Sequence, residues 1–383
     1  MAQAEDLANP VYCICDYLDI RGRIAPELMV LAHEQVEREA EALRLVIVPT
    51  GGEEGGYHQF LRADPAPLDV IDVSAGSDPE AAAREWMEKD AQRPVDPQLL
   101  CRAALLKIAD DHFVLYRRVH HAVVDGYSLA LIFNRTAAVY TALAGGLSAD
   151  EGAFPAFARL TDAEAGYRAS KSFARDRAHW LDRTADRPAP VSLSGRSGPL
   201  AVGRRRTAEL TPDRVGRLEA AADRLGVTWS DLAVSTITAY LALATGAREL
   251  QLGLPTGGRL SPQVRNVPGM TMNILPLRLD ADAALPLREF ARRVSREVRQ
   301  VLDVSRHPIS LEAPVGQDGD AFLGDFIEDE SMPHPLELAR TLPKTLRPPA
   351  RARKTDAATT CSPGLSSFLP QAAMCSAADR RTV

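Results

Sequence analysis

The chain has 383 residues, a length that suggests two domains or one two-lobed unit. Hydrophobic residues make up 45% and charged residues 25%, as in ordinary soluble globular proteins, and the net charge of -6 excludes a basic nucleic-acid footprint. No apolar stretch approaches the roughly 18 residues of a membrane span, residues 1–9 lack a secretory pattern, and the five cysteines lack metal-site spacing, so we expect a cytoplasmic protein with reduced thiols.

The first half of the chain predicts alternating strands and helices. A β-rich run after the turn Asn9-Pro10 predicts a strand at 11–20, and Pro26 opens a predicted helix that ends near Leu43. The following predicted elements, in chain order, are a strand at 45–48, a loop at 51–56, a helix at 78–90, a hairpin of strands at 103–108 and 113–119, a helix at 128–143 and a loop at 148–155.

The second half begins a new periodic region. Its predicted elements are a helix at 167–184, a proline-rich linker or crossover at 187–200, helices at 211–226 and 230–244, strands at 250–255 and 272–279 around a Gly/Pro loop, and an arginine-rich helix at 287–302. The composition changes after Arg306: residues 317–330 are acidic, and the chain from Thr341 lacks periodicity, which predicts disorder.

The sharpest chemical feature is a run of seven residues, His120-His121-Ala122-Val123-Val124-Asp125-Gly126. A predicted strand ends at the first histidine and a predicted helix begins after the glycine, a junction that suits catalytic side chains. An imidazole titrates near neutrality, so His121 can take a proton from an attacking nucleophile during acyl transfer. We therefore predict a catalytic constellation of His120, His121, Asp125 and Gly126, in which His120 and Asp125 mainly support the loop.

The other members of this run leave alternatives open. Asp125 can orient the loop or pair with a cation, and Gly126 can provide close backbone approach or a positive φ. A metal site is the weaker interpretation, because adjacent histidines point to opposite faces of a strand and no further His or Cys lies at ligand spacing. The chain has no G-x-S-x-G elbow or Walker-type glycine loop, which counts against a hydrolase or a nucleotide-binding enzyme.

The motif and its surroundings resemble the condensation domains of nonribosomal peptide synthetases. The similarity covers about residues 3–305 and does not depend on the histidine motif alone. The matching segments are 9–12 and 16–20 in the first strand, 41–44, 118–128, 167–180, 191–193, 253–259, 268–270 and 273–277.

The resemblance implies an α/β fold, a two-lobed chloramphenicol-acetyltransferase-like sandwich with mixed sheets and an active-site tunnel between the lobes. Carrier proteins would deliver phosphopantetheine-tethered substrates, and the acceptor amine would attack the donor thioester. Neither a metal nor a directly bound cofactor is implied; the phosphopantetheine arms belong to the carrier proteins. Adjacent synthetase domains are the other implied partners, and neither a membrane nor a nucleic acid is.

The resemblance also implies roles for individual residues. His121 would deprotonate or position the amine, Asp125 would hold the loop against Arg44, and Gly126 would lie near the developing oxyanion. An α-amine has a pKa of about 8, so its deprotonation needs little driving force. Further residues implied in substrate binding or support are Arg44, Tyr127, Ser128 and Asn273.

The chain departs from the family pattern at both ends. The first family motif survives at most as Ala2-Gln3, and we expect the second lobe to be incomplete after about Leu302. Residues 308–316 and 323–330 resemble the acidic linker of bacterial principal sigma factors, and 298–302 fits either family. We interpret this as a gene fusion, rearrangement or assembly artefact rather than a polymerase contact, with out-of-frame translation as one origin of the tail.

The predicted divisions are an N-lobe at 1–165, a crossover at 166–200, a partial C-lobe at 201–306, the sigma-like segment at 307–340 and a disordered tail at 341–383.

The first functional hypothesis is an amide-forming acyltransferase of nonribosomal peptide synthesis. The alternative is a non-catalytic truncated or chimeric remnant, and a sigma-like transcription protein is a distant third. The sequence does not identify the amino acids that are joined.

Overall fold

The chain divides into two compact units in the computed structural model. Among the described residues, the first unit contains those up to Asp162, Ser261–Met270 and those within Pro308–Phe368, and the second contains those within Ala163–Leu260 and Thr271–His307. The predictions for 2–3, 51–56, most of 187–200 and nearly all of 306–383 lie outside the described residues. Those described are 8–49, 57–150, 154–186, 191, 193, 208–259, 261–282, 284–305, and the backbone of 314–315 and 321–322.

A four-stranded mixed sheet forms the centre of the first unit. The strands of this unit are, in chain order, β1 (Cys13–Arg21), β2 (Leu45–Pro49), β3 (Tyr57–Leu61), β4 (Leu68–Asp72), β5 (Cys101–Ala109) and β6 (His112–His120). The central sheet has the order β1-β6-β5-β4, in which β6 is antiparallel to both neighbours while β4 and β5 are parallel. A separate antiparallel pair consists of β2 and β3.

Helices cover both faces of this sheet, which is why β6 is buried at all nine positions. On one face, Leu105 and Leu115 pack in the main core, while Leu106 and Val114 pack in a second cluster on the other face. This follows from strand geometry, because successive side chains point to opposite faces. The helices of this part of the chain are α1 (Pro26–Glu39), α2 (Pro79–Ala91), α3 (Gly126–Ala144) and α4 (Ala158–Arg168), with 3-10 turns at Pro10–Tyr12 and Glu41–Arg44.

The second unit has its own core around an antiparallel strand pair. Its elements are α5 (Lys171–Arg183), α6 (Pro212–Leu225), α7 (Trp229–Thr245), β7 (Glu249–Thr256), β8 (Asn273–Asp280) and α9 (Leu287–Ser305); the short α8 (Pro262–Arg265) belongs to the first unit. Strands β7 and β8 pair in register from Glu249 with Asp280 to Thr256 with Asn273. Leu277 of β8 packs with Phe290 and Val294 of α9. The two-residue strands β9 (Pro314–Val315) and β10 (Ala321–Phe322), which are antiparallel, also belong to the first unit.

Most predicted elements are present, but several boundaries differ. The predicted helix at 26–43 ends at Glu39, because Ala40 leaves the helical conformation at φ -92° and ψ 82°, and a 3-10 turn follows. The predicted helix at 167–184 is wrong in its first part: α4 ends at Arg168, and the Ser170 side chain caps a new helix by accepting from Phe173 N. Strands β3 and β4 were not predicted.

No single helix in the described part of the chain combines the length and apolar character of a membrane span. Taken together, α6 and α7 meet that test of length and composition, but they are bent by 89° at their junction.

Candidate active site

The two adjacent histidines of the motif have different surroundings. β6 ends at His120, whose side chain is fully buried and whose Nδ1 accepts from Ala122 N at 3.1 Å. The backbone N–H of His121 donates to the carbonyl oxygen of Tyr12 at 2.7 Å, and its side chain is half-buried. The imidazole of His121 is therefore the more accessible of the two, on a backbone fixed to the start of β1.

The loop between β6 and α3 is anchored at both ends. Its first turn is closed by the N–H of Val123, which donates to the carbonyl oxygen of His120 at 3.1 Å, and Val123 and Val124 are buried in the core. At the other end Asp125 is the N-cap of α3, with its Oδ1 accepting from Ser128 N at 2.8 Å. A loop held in this way presents His121 in a defined position.

The remaining motif residues form the first turn of α3. Gly126 is the first helical residue and does not have a positive φ, so that alternative is not used. Tyr127 is half-buried, whereas Ser128 is fully buried with its Oγ 2.8 Å from Asp125 Oδ1. The hydrogen bonds between Asp125 and Ser128 thus fix the start of α3 relative to the loop.

A distant segment completes these surroundings. Ser128 Oγ accepts from Gly269 N at 2.9 Å and also lies 2.8 Å from the Gly269 carbonyl oxygen. Met270, the next residue, places its Sδ 3.3 Å from Nδ1 of His121. The sequence identified Pro268-Gly269-Met270 only as a family-like motif in a Gly/Pro loop, and nothing local in it indicated these contacts.

Burial sets the charge state of the candidate base. It lowers the pKa of His121 below its usual value of 6.5, while a hydrogen bond to its own backbone and the charge of Asp125 act in the opposite direction. The imidazole is thus neutral near pH 7, which is the form that can accept a proton.

Two of the described cysteines, Cys13 and Cys101, offer no competing nucleophile. Cys13, Cys15 and Cys101 are not joined in disulfides. Burial raises the pKa of Cys13 to about 12 and also raises that of Cys101. Because the thiolate is the reactive form, both side chains are inert core residues. Among all residues that the structure describes, no group of three or more His, Cys, Asp or Glu side chains has an arrangement that could hold a metal ion.

The expected pairing of Arg44 with Asp125 is not formed. Arg44 instead donates to the carbonyl oxygens of Glu37 at 3.1 Å, Arg62 at 2.8 Å and Arg38 at 3.2 Å. Its guanidinium satisfies the carbonyl groups at the end of α1, where the negative end of the helix dipole attracts a cation. Arg44 therefore supports the backbone rather than the catalytic loop.

Asn273 lies at the start of β8 in the second unit. Its side chain is exposed, and its Oδ1 accepts from the backbone N–H of Ile274 at 2.8 Å. Its backbone carbonyl oxygen accepts from Thr256 Oγ1 of the paired strand β7 at 3.4 Å, so the described contacts of Asn273 lie within the β7–β8 pair.

The chain matches the profiles of two known protein families. The condensation domain family profile matches residues 4–311, and the profile of sigma-70 region 3 matches residues 295–339. The two matches overlap at 295–311, a range that includes the residues 298–302 that fit either pattern. The predicted resemblance to both families is therefore confirmed.

Two curated relatives are similar over most of this chain. A dimodular nonribosomal peptide synthase of Bacillus subtilis is 36% identical over 304 residues, which are 78% of this chain and 13% of that protein. An isonitrile lipopeptide synthase of Streptomyces coeruleorubidus is 38% identical over 319 residues, which are 80% of this chain and 21% of that protein. The chain thus spans only a small part of the relatives that it matches.

Solved structures with the same fold are condensation domains. The first condensation domain of the calcium-dependent antibiotic synthetase, in complex with a substrate analogue, aligns with a TM-score of 0.73 at 31% identity, covering 84% of this chain and 76% of that one. The starter condensation domain of rhizomide synthetase aligns with a TM-score of 0.72 at 35% identity, covering 80% and 70%. The predicted chloramphenicol-acetyltransferase-like α/β fold is confirmed. This chain belongs to the condensation domain family, the amide-forming acyltransferases of nonribosomal peptide synthesis.

Proposed function

We propose that this chain joins a carrier-bound donor thioester to an acceptor amine, with His121 as the proton acceptor. The observation that supports this most directly is a neutral, half-buried imidazole at the end of β6, on a loop that core packing and an N-cap hold at both ends. Such fixed placement is what general base catalysis requires of its base.

The reaction proceeds by addition and elimination. The amine nitrogen attacks the thioester carbonyl carbon, a C–N bond forms, and His121 takes a proton from the nitrogen. The tetrahedral intermediate then expels the sulfur, the C–S bond breaks, and the proton passes to the leaving thiolate. The N-terminus of α3 at Gly126 favours negative charge, which suits the oxygen of that intermediate.

The partners follow from the family. Condensation domains work with the phosphopantetheine arms of carrier proteins, and we infer that this chain receives both substrates from such carriers beside adjacent synthetase domains. We place Tyr127 and Asn273 in substrate binding and Arg44 in support. A cytoplasmic location is consistent with the free thiols of the described cysteines.

The test combines the full chain with one carrier protein loaded with an aminoacyl group and another loaded with a peptidyl or aminoacyl donor. Mass spectrometry of the acceptor carrier protein, which keeps the product as its thioester, should show the new amide with the unaltered chain and a loss of roughly 100-fold or more with His121→Ala, the usual contribution of a general base. His58→Ala, an exposed substitution of the same kind on β3, is the matched control.

The outcomes separate the hypotheses. If the unaltered chain and both variants yield no amide, the non-catalytic remnant is the better description. If His121→Ala is as active as His58→Ala, the assignment of His121 as the base is wrong even though the chain is an enzyme.

A further inference from the structure

The end of the segment Ser261–Met270 is joined to the catalytic loop by hydrogen bonds in both directions. The backbone N–H of Gly269 donates to Ser128 Oγ at 2.9 Å, and the Gly269 carbonyl oxygen accepts from Asp125 N at 3.4 Å. The single hydroxyl proton of Ser128 serves either that carbonyl oxygen or Asp125 Oδ1, each at 2.8 Å. These groups are buried, so separating the segment from the loop would leave polar atoms unsatisfied.

Side-chain packing fixes the same segment from another direction. A Cβ atom on Gly269 would lie 2.3 Å from Leu160 Cδ1 and 3.1 Å from Phe157 Cε2, distances too short for normal contact. Only glycine therefore fits at this position without displacement of its neighbours. The backbone that leads into Met270 is thus held by both hydrogen bonds and packing.

This placement brings a sulfur atom to the candidate base. Met270 Sδ lies 3.3 Å from His121 Nδ1, which is within hydrogen-bonding distance for a sulfur acceptor. Thioether sulfur is a weak acceptor, and a neutral imidazole donates from only one of its nitrogens. A proton on Nδ1 satisfies this acceptor and leaves the lone pair of Nε2 available to accept a proton.

We propose that Met270 is a positioning residue that acts through His121: its Sδ accepts a hydrogen bond from Nδ1–H and holds the ring with Nε2 as the proton-accepting atom. The functional part of this inference rests on the proposed role of His121 as the base. Met270 does not itself touch the reacting atoms.

Nitrogen NMR of the full, ¹⁵N-histidine-labelled chain tests the contact directly, because the ring nitrogens of the two tautomers have distinct shifts. The signals of His121 are identified by their loss in His121→Ala. In Met270→Leu, which keeps the apolar volume and removes the sulfur, we expect the population with a proton on Nδ1 to decrease. Met272→Leu, the same substitution two residues away, should leave the His121 signals unchanged.

Activity provides a second measurement. The kcat for amide formation should fall roughly two- to tenfold in Met270→Leu, as expected for loss of a weak hydrogen bond, while KM stays constant. Unchanged His121 nitrogen shifts and unchanged kcat in Met270→Leu would overturn the proposal. If the unaltered chain forms no amide, the proposed function fails, but the NMR result still decides whether Met270 positions the imidazole.

Discussion

At the scale of single residues, the alternation of side chains at the end of β6 gives the supporting residue His120 and the candidate base His121 different environments. His120 points into the core and is fully buried, whereas His121 is half-buried and contacts Met270. Neighbouring residues at a strand end face opposite ways, so the sequence could predict that the two imidazoles differ. The assignment of roles followed from that geometry and from the family resemblance.

The lowered pKa of His121 makes a prediction about pH. The acceptor amine, with a pKa of about 8, is itself protonated as pH falls, so kcat/KM is referred to the concentration of the unprotonated amine. Since the neutral imidazole is the active form and burial lowers its pKa, this corrected kcat/KM should show an acid limb centred below pH 6.5. The measurement is the rate of amide formation at limiting substrate between about pH 5 and about pH 8. Circular dichroism at each pH shows that the chain stays folded; an acid limb centred above 6.5 would contradict the prediction.

At the scale of secondary-structure elements, a buried ion pair connects α1 to β6. Arg117 Nη1 lies 3.0 Å from Glu37 Oε1, and both side chains are 1% exposed. Arg117 Nη2 donates to His33 Nδ1 at 3.0 Å, and His33 Nε2 donates to the carbonyl oxygen of Ala66 at 2.8 Å. Burial, together with the charge of Arg117, lowers the pKa of His33 to about 3, so its ring stays neutral in this network.

Removing one charge of this buried ion pair should lower the free energy of unfolding. Arg117→Met leaves the Glu37 carboxylate buried without its cation, and the free energy of unfolding should fall by about 3–5 kcal/mol. The double variant Arg117→Met/Glu37→Gln should recover part of that loss, because no uncompensated charge remains. Urea unfolding of each variant gives the values.

An exposed pair on the same helix is the control. Arg38 and Glu34 form an ion pair at 3.3 Å, with side chains 59% and 40% exposed, so Arg38→Met should cost less than about 1 kcal/mol. If the buried single variant is no less stable than Arg38→Met, the network does not stabilise the contact between α1 and β6.

At the scale of the whole molecule, α7 leaves a row of apolar side chains uncovered. Ile237, Tyr240 and Leu243 are 52%, 60% and 82% exposed and lie at i, i+3 and i+6 on the helix. Such spacing places them close to one face, and exposed apolar patches favour association between protein molecules. The row makes self-association of the chain an expected solution property.

The double variant Tyr240→Lys/Leu243→Lys should reduce this association. Size-exclusion chromatography with light scattering over a range of concentrations should show a concentration-dependent mass for the unaltered chain and a smaller dependence for the variant. Glu219→Lys on α6 changes the net charge by the same two units at an exposed position and is the control. A constant monomer mass for the unaltered chain would refute the expectation.

Local sequence was sufficient for the element types and for the histidine motif. The end of β6 at His120 and the stop of α6 at Gly226 depend on residues close in the chain, because strand alternation and positive φ are local properties. The predicted helix at 128–143 starts too late, since α3 begins at Gly126 with Asp125 as its N-cap. The strands β3 and β4 were not predicted, because each has only five residues and is identified by its pairing with β2 or β5 more clearly than by its own short pattern.

The contacts around the candidate base were decided by tertiary structure. Ser128 meets a residue 141 positions away, and His121 meets one 149 positions away, both in the segment Ser261–Met270 that belongs to the first unit. Arg44 likewise binds backbone carbonyls instead of the expected carboxylate. The sequence alone determined which residue can act as a base and which family the chain resembles, since composition and motif spacing are properties of the chain itself. Only the folded packing decided what holds that base in place, because hydrogen-bond partners so far apart in the chain are chosen by the core that brings them together.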